Sequence, residues 1–171
     1  MLRILGLIFR KEPVLVGFSS KLLEVIDTGT TAFWSEVPNL SYQLDSNGEK
    51  VTVSIGNAAK SSDGIVENPF SHPRLLIGDW LVAEMLITRV FRTINTGLGK
   101  FAKPIVIFYV KDRLEGGLTN IELRALYELM WAVRAREIYF WPDRTPPSEQ
   151  QILAKTYKQL DSSPEHPFIT R

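Results

Sequence analysis

The stretch PIVIFYV, residues 104–110, shows no alternation of apolar and polar side chains, and it predicts a strand that is covered on both faces. Thr119 predicts the start of a helix, because Glu122 follows at the spacing of a capping box. The sequence REIYFW, residues 136–141, predicts another strand. Strand, helix and strand in this order indicate parallel pairing through a right-handed crossover, so we predict an α/β fold.

Both helices beside this strand are predicted to be amphipathic. The upstream helix begins at a cap residue, Asp79, and continues to about Asn95. Its apolar residues recur at helical spacing and form one stripe: Ala83, Leu86, Ile87, Val90, Phe91 and Ile94. The helix that begins at Thr119 has its own stripe: Ala125, Leu126, Leu129, Met130 and Val133.

The first third of the chain predicts short strands and a hairpin. Asn47-Gly48 lies between two alternating segments, which is typical of a hairpin with one wet face. The apolar side of the hairpin is predicted to hold Leu40, Tyr42, Leu44, Val51, Val53 and Ile55. The strands before it are predicted at Val14–Phe18, Leu22–Ile26 and Thr31–Trp34. Residues 56–74 are expected to be irregular, because Pro69 and Pro73 interrupt any long element.

The composition fits one ordinary globular domain without a thiol-based site. The chain has 171 residues and a net charge of +1, so no overall field attracts nucleic acid, and we expect no nucleic-acid partner. It has no cysteine, which excludes disulfides and thiolate metal sites and fits the cytoplasm. Its two histidines, His72 and His166, each precede a proline and lack a helical metal-binding partner, so we predict no metal site.

The order of the predicted elements is that of ribonuclease H-like folds, a group that includes metal nucleases and actin-like ATPases. Nucleases of this shape carry acids on the first strand, because two metal ions must clamp the attacking and leaving oxygens. Residues 14–20 contain no acid, so a nuclease is not expected. Fold alone leaves the remaining functions open.

Two segments of the sequence indicate which of these functional classes the chain is most similar to. Residues 64–86 are GIVENPFSHPRLLIGDWLVAEML, and the later segment has LTNIELRAL at 118–126 and RAREIY at 134–139. The first resembles the MreB family of bacterial rod shape-determining proteins, in which a proline segment leads to G-x-I-A-D-F-x-x-x-E-x-M-L. The second is similar to the family's T-x-V-E-R-R-A and G-A-R-E-V-Y. The resemblance covers roughly residues 14–141, the first half of such a protein, and implies a single actin-like lobe with a small hairpin insertion.

The phosphate loop departs from the family. There, an acidic strand end is followed by Gly, Thr and small polar residues that hold Mg-ATP. Here the sequence is LVGFSS at residues 15–20; Gly17 matches a loop glycine, but no acid lies between Pro13 and Lys21. Phe18 would place a ring where phosphate approaches backbone amides. The family's second phosphate loop lies beyond the matching region. We therefore predict no catalytic residues and no nucleotide cofactor.

The N-terminal segment is apolar with basic edges, like the amphipathic membrane-binding start that members of the family often carry. It is too short to span a bilayer. Three alternatives are open: a strand or helix packed on the lobe, a disordered start, or a short helix at a membrane interface. The predicted membrane-binding residues are Leu2, Arg3, Leu5, Ile8 and Phe9.

We expect three parts: an amphipathic segment at 1–12, a lobe at 13–141 with its hairpin at about 39–56, and a proline-rich appendage at 142–171 with one helix from Ser148 to Leu160. That helix is expected either to fold back over an apolar face or to dock on a neighbouring chain. The predicted interaction residues are Phe140, Trp141, Ile152 and Tyr157.

The resemblance, together with the departures in the phosphate loop, implies a catalytically silent protein that acts by binding in bacterial cell-shape or envelope organisation. Its expected partners are an intact bacterial actin, a second copy or the inner-membrane surface. Its expected location is the cytoplasm, with peripheral attachment to the inner membrane if the N-terminal segment binds lipid. Two alternatives stay open: an ATPase completed by a second chain, and an interaction module that has lost any link to actins.

Overall fold

The computed structural model describes residues 12–30, 32–94, 103–112 and 116–160, arranged as two sheets with helices. In chain order the elements are β1 Pro13–Phe18, β2 Leu23–Asp27, β3 Phe33–Glu36, β4 Leu40–Leu44, β5 Lys50–Ile55, a 3-10 helix Gly56–Ser61, β6 Ile65–Glu67, α1 Trp80–Ile94, β7 Ile105–Val110, α2 Asn120–Ala132, β8 Glu137–Phe140, α3 Glu149–Leu153 and α4 Tyr157–Leu160. No helix within these ranges is long and apolar enough to span a bilayer.

The larger sheet has five strands in the order β3-β2-β1-β7-β8. The pairs β1–β2 and β2–β3 are antiparallel, whereas β1–β7 and β7–β8 are parallel. Every residue of β1 and β7 is buried, as an apolar run without alternation predicts for central strands. The predicted α/β architecture, with its parallel crossover through a helix, is confirmed.

Two helices cover the first face of this sheet. Asp79 caps α1, because its Oδ1 accepts a hydrogen bond from the Val82 amide at 2.9 Å. Thr119 and Glu122 form the predicted capping box at the start of α2: Thr119 Oγ1 accepts from the Glu122 amide at 3.2 Å, and Glu122 Oε2 accepts from the Thr119 amide at 2.9 Å. The stripe of α1 is buried as predicted. In α2 the buried residues are Leu123, Leu126, Tyr127, Leu129 and Met130.

The smaller sheet has one strand more than the predicted hairpin, in the order β5-β4-β6. The 3-10 helix and β6 both lie within residues 56–74, so the prediction of an irregular stretch there was wrong. β6 pairs along the second edge of β4, where Ser41 opposes Val66. This pairing is not local in sequence, so no alternation within three residues could have predicted it.

The hairpin itself is confirmed, but the predicted division of its faces was wrong. The register shifts between Ser41 and Tyr42, and Gln43 then opposes Val51. Because a shift of one residue turns a strand's side chains to the other face, Val51 and Val53 are exposed. Leu44 is exposed as well.

The C-terminal segment covers part of the second face of the larger sheet. One helix was predicted from Ser148 to Leu160, but the structure has α3 and α4, because Lys155 adopts a left-handed φ of 53° between them. Trp141 and Tyr157 are each 2% exposed. They form a second apolar cluster with three sheet residues: Leu15, Ile107 and Tyr109.

Candidate functional site

The carboxyl ends of the parallel strands β1 and β7 meet at one edge of the sheet, which is where ligands bind in open α/β sheets. Ser19 orders the loop after β1. Its Oγ accepts from the amides of Lys21, at 3.2 Å, and Leu22, at 2.8 Å, and donates to the Leu22 carbonyl at 3.0 Å. These two loop amides are therefore already bonded within the loop.

The amide of Ser20 is bonded as well. It donates to Asp112 Oδ2 at 2.7 Å, while the Ser20 carbonyl accepts from Asn68 Nδ2 at 2.8 Å. Phe18 is fully buried and packs edge-on against Phe70, with 5.4 Å between the ring centroids. This loop is thus fixed by three side chains from two other parts of the chain.

The family resemblance matched Gly17 to a loop glycine, but Gly17 lies inside β1, as the strand predicted at Val14–Phe18 has it, and opposite Tyr109 of β7. A Cβ atom built on Gly17 would lie 2.6 Å from the ring and hydroxyl of Tyr109. The glycine is therefore explained by the close approach of a side chain.

A partly buried polar group, made of Glu24, Tyr109 and Lys111, completes this edge. Tyr109 donates its hydroxyl to Glu24 Oε2 at 3.3 Å, and Glu24 forms an ion pair with Lys111 Nζ. Burial, and then the negative charge of Glu24, raises the pKa of Tyr109 well above its ordinary value. The phenol therefore stays protonated and donates to the carboxylate at neutral pH.

A cleft of about 750 Å³ opens beside this loop, between α2 and the segment before α1. His72 lines it, in an exposed loop as predicted, and its Nδ1 accepts from the amides of Arg74, at 3.2 Å, and Leu75, at 3.1 Å. Asp112 and Glu122 also line it, each bonded to a neighbouring backbone amide. Within the described ranges, no three His, Asp or Glu side chains are placed to hold a metal ion.

Actin-like folds imply a nucleotide with Mg²⁺, and the residues at this edge do not fit that group. Phosphate binding at a strand end requires free backbone amides and an open approach to the glycine. Here the amides of Ser20, Lys21 and Leu22 have protein partners, and the ring of Tyr109 lies against Gly17. We derive no catalytic step through this edge.

The predicted interaction residues lie on two faces of the sheet. Phe140 packs in the main core, with its ring centroid 5.4 Å from that of Phe108. Trp141, Ile152 and Tyr157 come together on the second face. Their contact with a partner stays a prediction. The predicted membrane-binding residues, Leu2 to Phe9, lie outside the described residues.

Sequence reasoning missed the Glu24–Tyr109–Lys111 group. The one signal that pointed to it was Gly17, since a glycine inside a buried strand indicates that another group approaches the backbone. Tyr109 lies beside Gly17 because β1 and β7 pair in parallel in this register. That pairing joins segments far apart in the sequence, so no local pattern predicts it.

No protein-family model and no curated protein matches the chain. Nineteen chains among the solved structures do match, and two of them are of the same protein. MreB5 of Spiroplasma citri bound to ADP is 15% identical, with a TM-score of 0.56 over 78% of this chain. The same protein bound to AMPPNP is 16% identical, with a TM-score of 0.56 over 76% of this chain. The matched part is 39% and 38% of those chains, so this chain spans well under half of their length. The fold of the described residues is therefore that of a single actin-like lobe.

Proposed function

We propose that this chain is a catalytically silent actin-like lobe that acts by binding other proteins in bacterial cell-shape or envelope organisation. The observation that carries this proposal is the closed strand end at Gly17. The ring of Tyr109 occupies the approach to the glycine, and Ser19 and Asp112 hold the loop amides. A lobe closed in this way has an actin-like fold without a phosphate site at this edge.

The likeness to MreB5 supports cell-shape or envelope organisation as the process in which this chain acts. MreB5 belongs to the shape-determining actins that the two sequence segments resemble. The proposed partner is therefore an intact actin of the same kind or a second copy of this chain. Attachment to the inner-membrane surface through residues 1–12 is part of the same proposal.

Titration calorimetry with Mg-ATP tests the silent lobe directly. We expect no heat of binding from the wild-type protein at concentrations up to the millimolar range. Micromolar binding, about 8 kcal/mol of affinity, would overturn the proposal.

Co-sedimentation with a polymerised MreB-type actin tests the binding role. We expect the chain to pellet with the filaments equally in ATP and ADP. Pelleting that requires nucleotide bound by this chain would favour the alternative of an ATPase completed by a second chain. No pelleting and no self-association would favour a module that has lost its link to actins.

A further inference from the structure

The second face of the larger sheet carries one row of side chains that crosses all five strands. From β3 to β8 the register aligns them in this order: Phe33, Ile26, Leu15, Ile107 and Tyr139. Leu15 and Ile107 are buried in one cluster with Tyr157 of α4. At the other end, Phe33 is 70% exposed and Ile26 is half-buried. The row is therefore covered over β1 and β7 and open over β2 and β3.

A groove of about 350 Å³ lies at the open end, and we name it the edge groove. Its described lining residues come from β2, β3 and the turn between them: Glu24, Ile26, Thr30, Ala32, Phe33 and Ser35. Ile26 pairs with Phe33 and Glu24 with Ser35, so these side chains share one face of the sheet. Apolar side chains grouped in this way, unlike single exposed ones, mark a surface that another group covers.

The chain enters the sheet beside this groove. The amide and the hydroxyl of Thr28 both donate to the Pro13 carbonyl, at 3.2 Å and 2.7 Å. A Cβ atom built on Gly29 would lie 3.0 Å from the Cβ of Glu12. Glu12 therefore lies against the turn between β2 and β3, and the next residue of that turn, Thr30, lines the groove. Residues 1–11, which lie outside the described residues, connect to the lobe at this point.

The N-terminal segment is long enough to fill the edge groove. Phe33 lies on β3, two strands away from β1, which is about 10 Å at a strand spacing of about 4.8 Å. Because each residue of a chain spans at most about 3.3–3.6 Å, about three residues cover that distance. Residues 1–11 can therefore reach every part of the groove from Glu12.

The composition of residues 1–11 suits an apolar groove. The segment contains no acid, and most of its side chains are large and apolar: Leu2, Ile4, Leu5, Leu7, Ile8 and Phe9. The C-terminal residues 161–171 fit less well, because their large apolar residues are only Phe168 and Ile169. They also follow α4, whose Tyr157 packs against Tyr139 of β8, the edge strand farthest from β3. The N-terminal segment is the better occupant.

We propose that residues 1–11 dock in the edge groove of their own chain, and that the groove and an anionic bilayer compete for them. The same apolar side chains cannot lie in the groove and in a membrane interface at once. A bilayer therefore shifts the population from the docked to the released segment. The competition rests on the proposed membrane attachment, whereas the docking does not.

Disulfide trapping tests the docking, because the chain has no cysteine of its own. Gly6→Cys with Ser35→Cys places one thiol in the segment and one in the groove, and it leaves the apolar side chains of both unchanged. Under air with copper phenanthroline, at low micromolar protein, we expect a crosslink within one chain. A crosslink between two chains would make a second copy the occupant and would overturn docking within the chain.

Two further changes in this cysteine pair separate docking from the mere proximity of a tethered segment. Leu5→Glu with Ile8→Glu changes the segment and Phe33→Ser changes the groove, while the length of the tether stays the same. Each should slow crosslinking about tenfold, because the effective concentration of the docked segment is lost. Leu44→Ser removes an exposed apolar side chain from the small sheet, so it is the matched control and should change nothing. Equal rates in all these proteins would overturn the docking.

Vesicles of phosphatidylglycerol test the competition. They should slow the crosslinking of Gly6→Cys with Ser35→Cys. Phe33→Ser, in the chain without cysteines, should raise co-sedimentation with the vesicles about threefold, because the released segment is more populated. A Phe33→Ser variant that binds no better than the wild type would overturn the competition. Vesicle binding that survives Leu5→Glu with Ile8→Glu would count instead against the proposed membrane attachment, and the crosslinking rates measured without vesicles do not depend on it.

Discussion

The phenol ring of Tyr109 lies directly against the backbone of Gly17, so that any side chain at position 17 would collide with it. The two residues are register partners on adjacent parallel strands. Gly17 therefore leaves room for a large buried ring at the strand end where actin-like folds bind phosphate. This contact links the fold to the proposed loss of nucleotide binding.

Gly17→Ala should destabilise the protein by about 1–3 kcal/mol, because the new methyl group forces the ring of Tyr109 or the strand to move. The same change in a Tyr109→Leu background should cost less, because the shorter side chain leaves room for the methyl. Urea unfolding of the four proteins gives the coupling between the two positions. Additive effects, with a coupling below about 0.5 kcal/mol, would show that the ring does not hold this space.

The raised pKa of Tyr109 also predicts that the protein loses stability in alkali. Its pKa is raised in the folded state, by burial first and by Glu24 second, while the unfolded chain ionises near the ordinary value of about 10. Above that pH the unfolded state binds fewer protons than the folded state, so the free energy of unfolding falls as pH rises.

Tyr109→Phe keeps the ring and removes the proton, so its unfolding midpoint in urea should fall less between pH 9 and pH 11 than that of the wild type. Tyr157→Phe is a useful comparison, because the pKa of Tyr157 is also raised by burial but its variant leaves the Glu24 pair intact. Equal losses of stability in alkali for the wild type and Tyr109→Phe would show that the Tyr109 hydroxyl does not cause the loss.

The central elements could be predicted from sequence because their signals are local. The capping box at Thr119 and the apolar stripe of α1 each lie within a few turns of helix, and both are confirmed. The third strand of the small sheet and the ring at Gly17 depend on pairing between distant segments. The break at Lys155 depends on one left-handed residue that no periodicity marks.

Asp79 predicts a measurable cap at the start of α1. Its carboxylate accepts from the Val82 amide and pairs with Lys50 at 2.9 Å, and these contacts, the amide first, lower the pKa of Asp79. Asp79→Ala should cost about 1 kcal/mol, whereas Asp79→Asn keeps the cap and should cost less. Because the folded-state pKa is lowered, this contribution is present above the ordinary value of about 4 and is lost as pH falls below it. A wild type and an Asp79→Ala variant that differ as much at pH 2.5 as at pH 7 would contradict this account.

The N-terminal segment predicts reversible binding to anionic bilayers. Leu5 and Ile8 are apolar and the flanking Arg3 and Arg10 are basic, a combination suited to a membrane interface. In liposome co-sedimentation, the double variant Leu5→Glu with Ile8→Glu should bind more weakly than the wild type, and Lys60→Glu, an exposed charge reversal elsewhere, should change little. Equal sedimentation of the wild type and the double variant would rule out this role.

Tyr157 predicts how much the C-terminal segment contributes to stability. Its ring is 2% exposed and packs edge-on against Tyr139, with 5.0 Å between the centroids, while Lys158 pairs with Glu137 at 3.0 Å. Tyr157→Ala should cost about 3 kcal/mol, because it removes a buried ring from the second face of the sheet. Leu153→Ala changes a side chain that is 74% exposed in the same segment, so it should cost less than about 0.5 kcal/mol. Urea unfolding distinguishes the two, and equal small losses would mean that the segment does not pack on the sheet in solution.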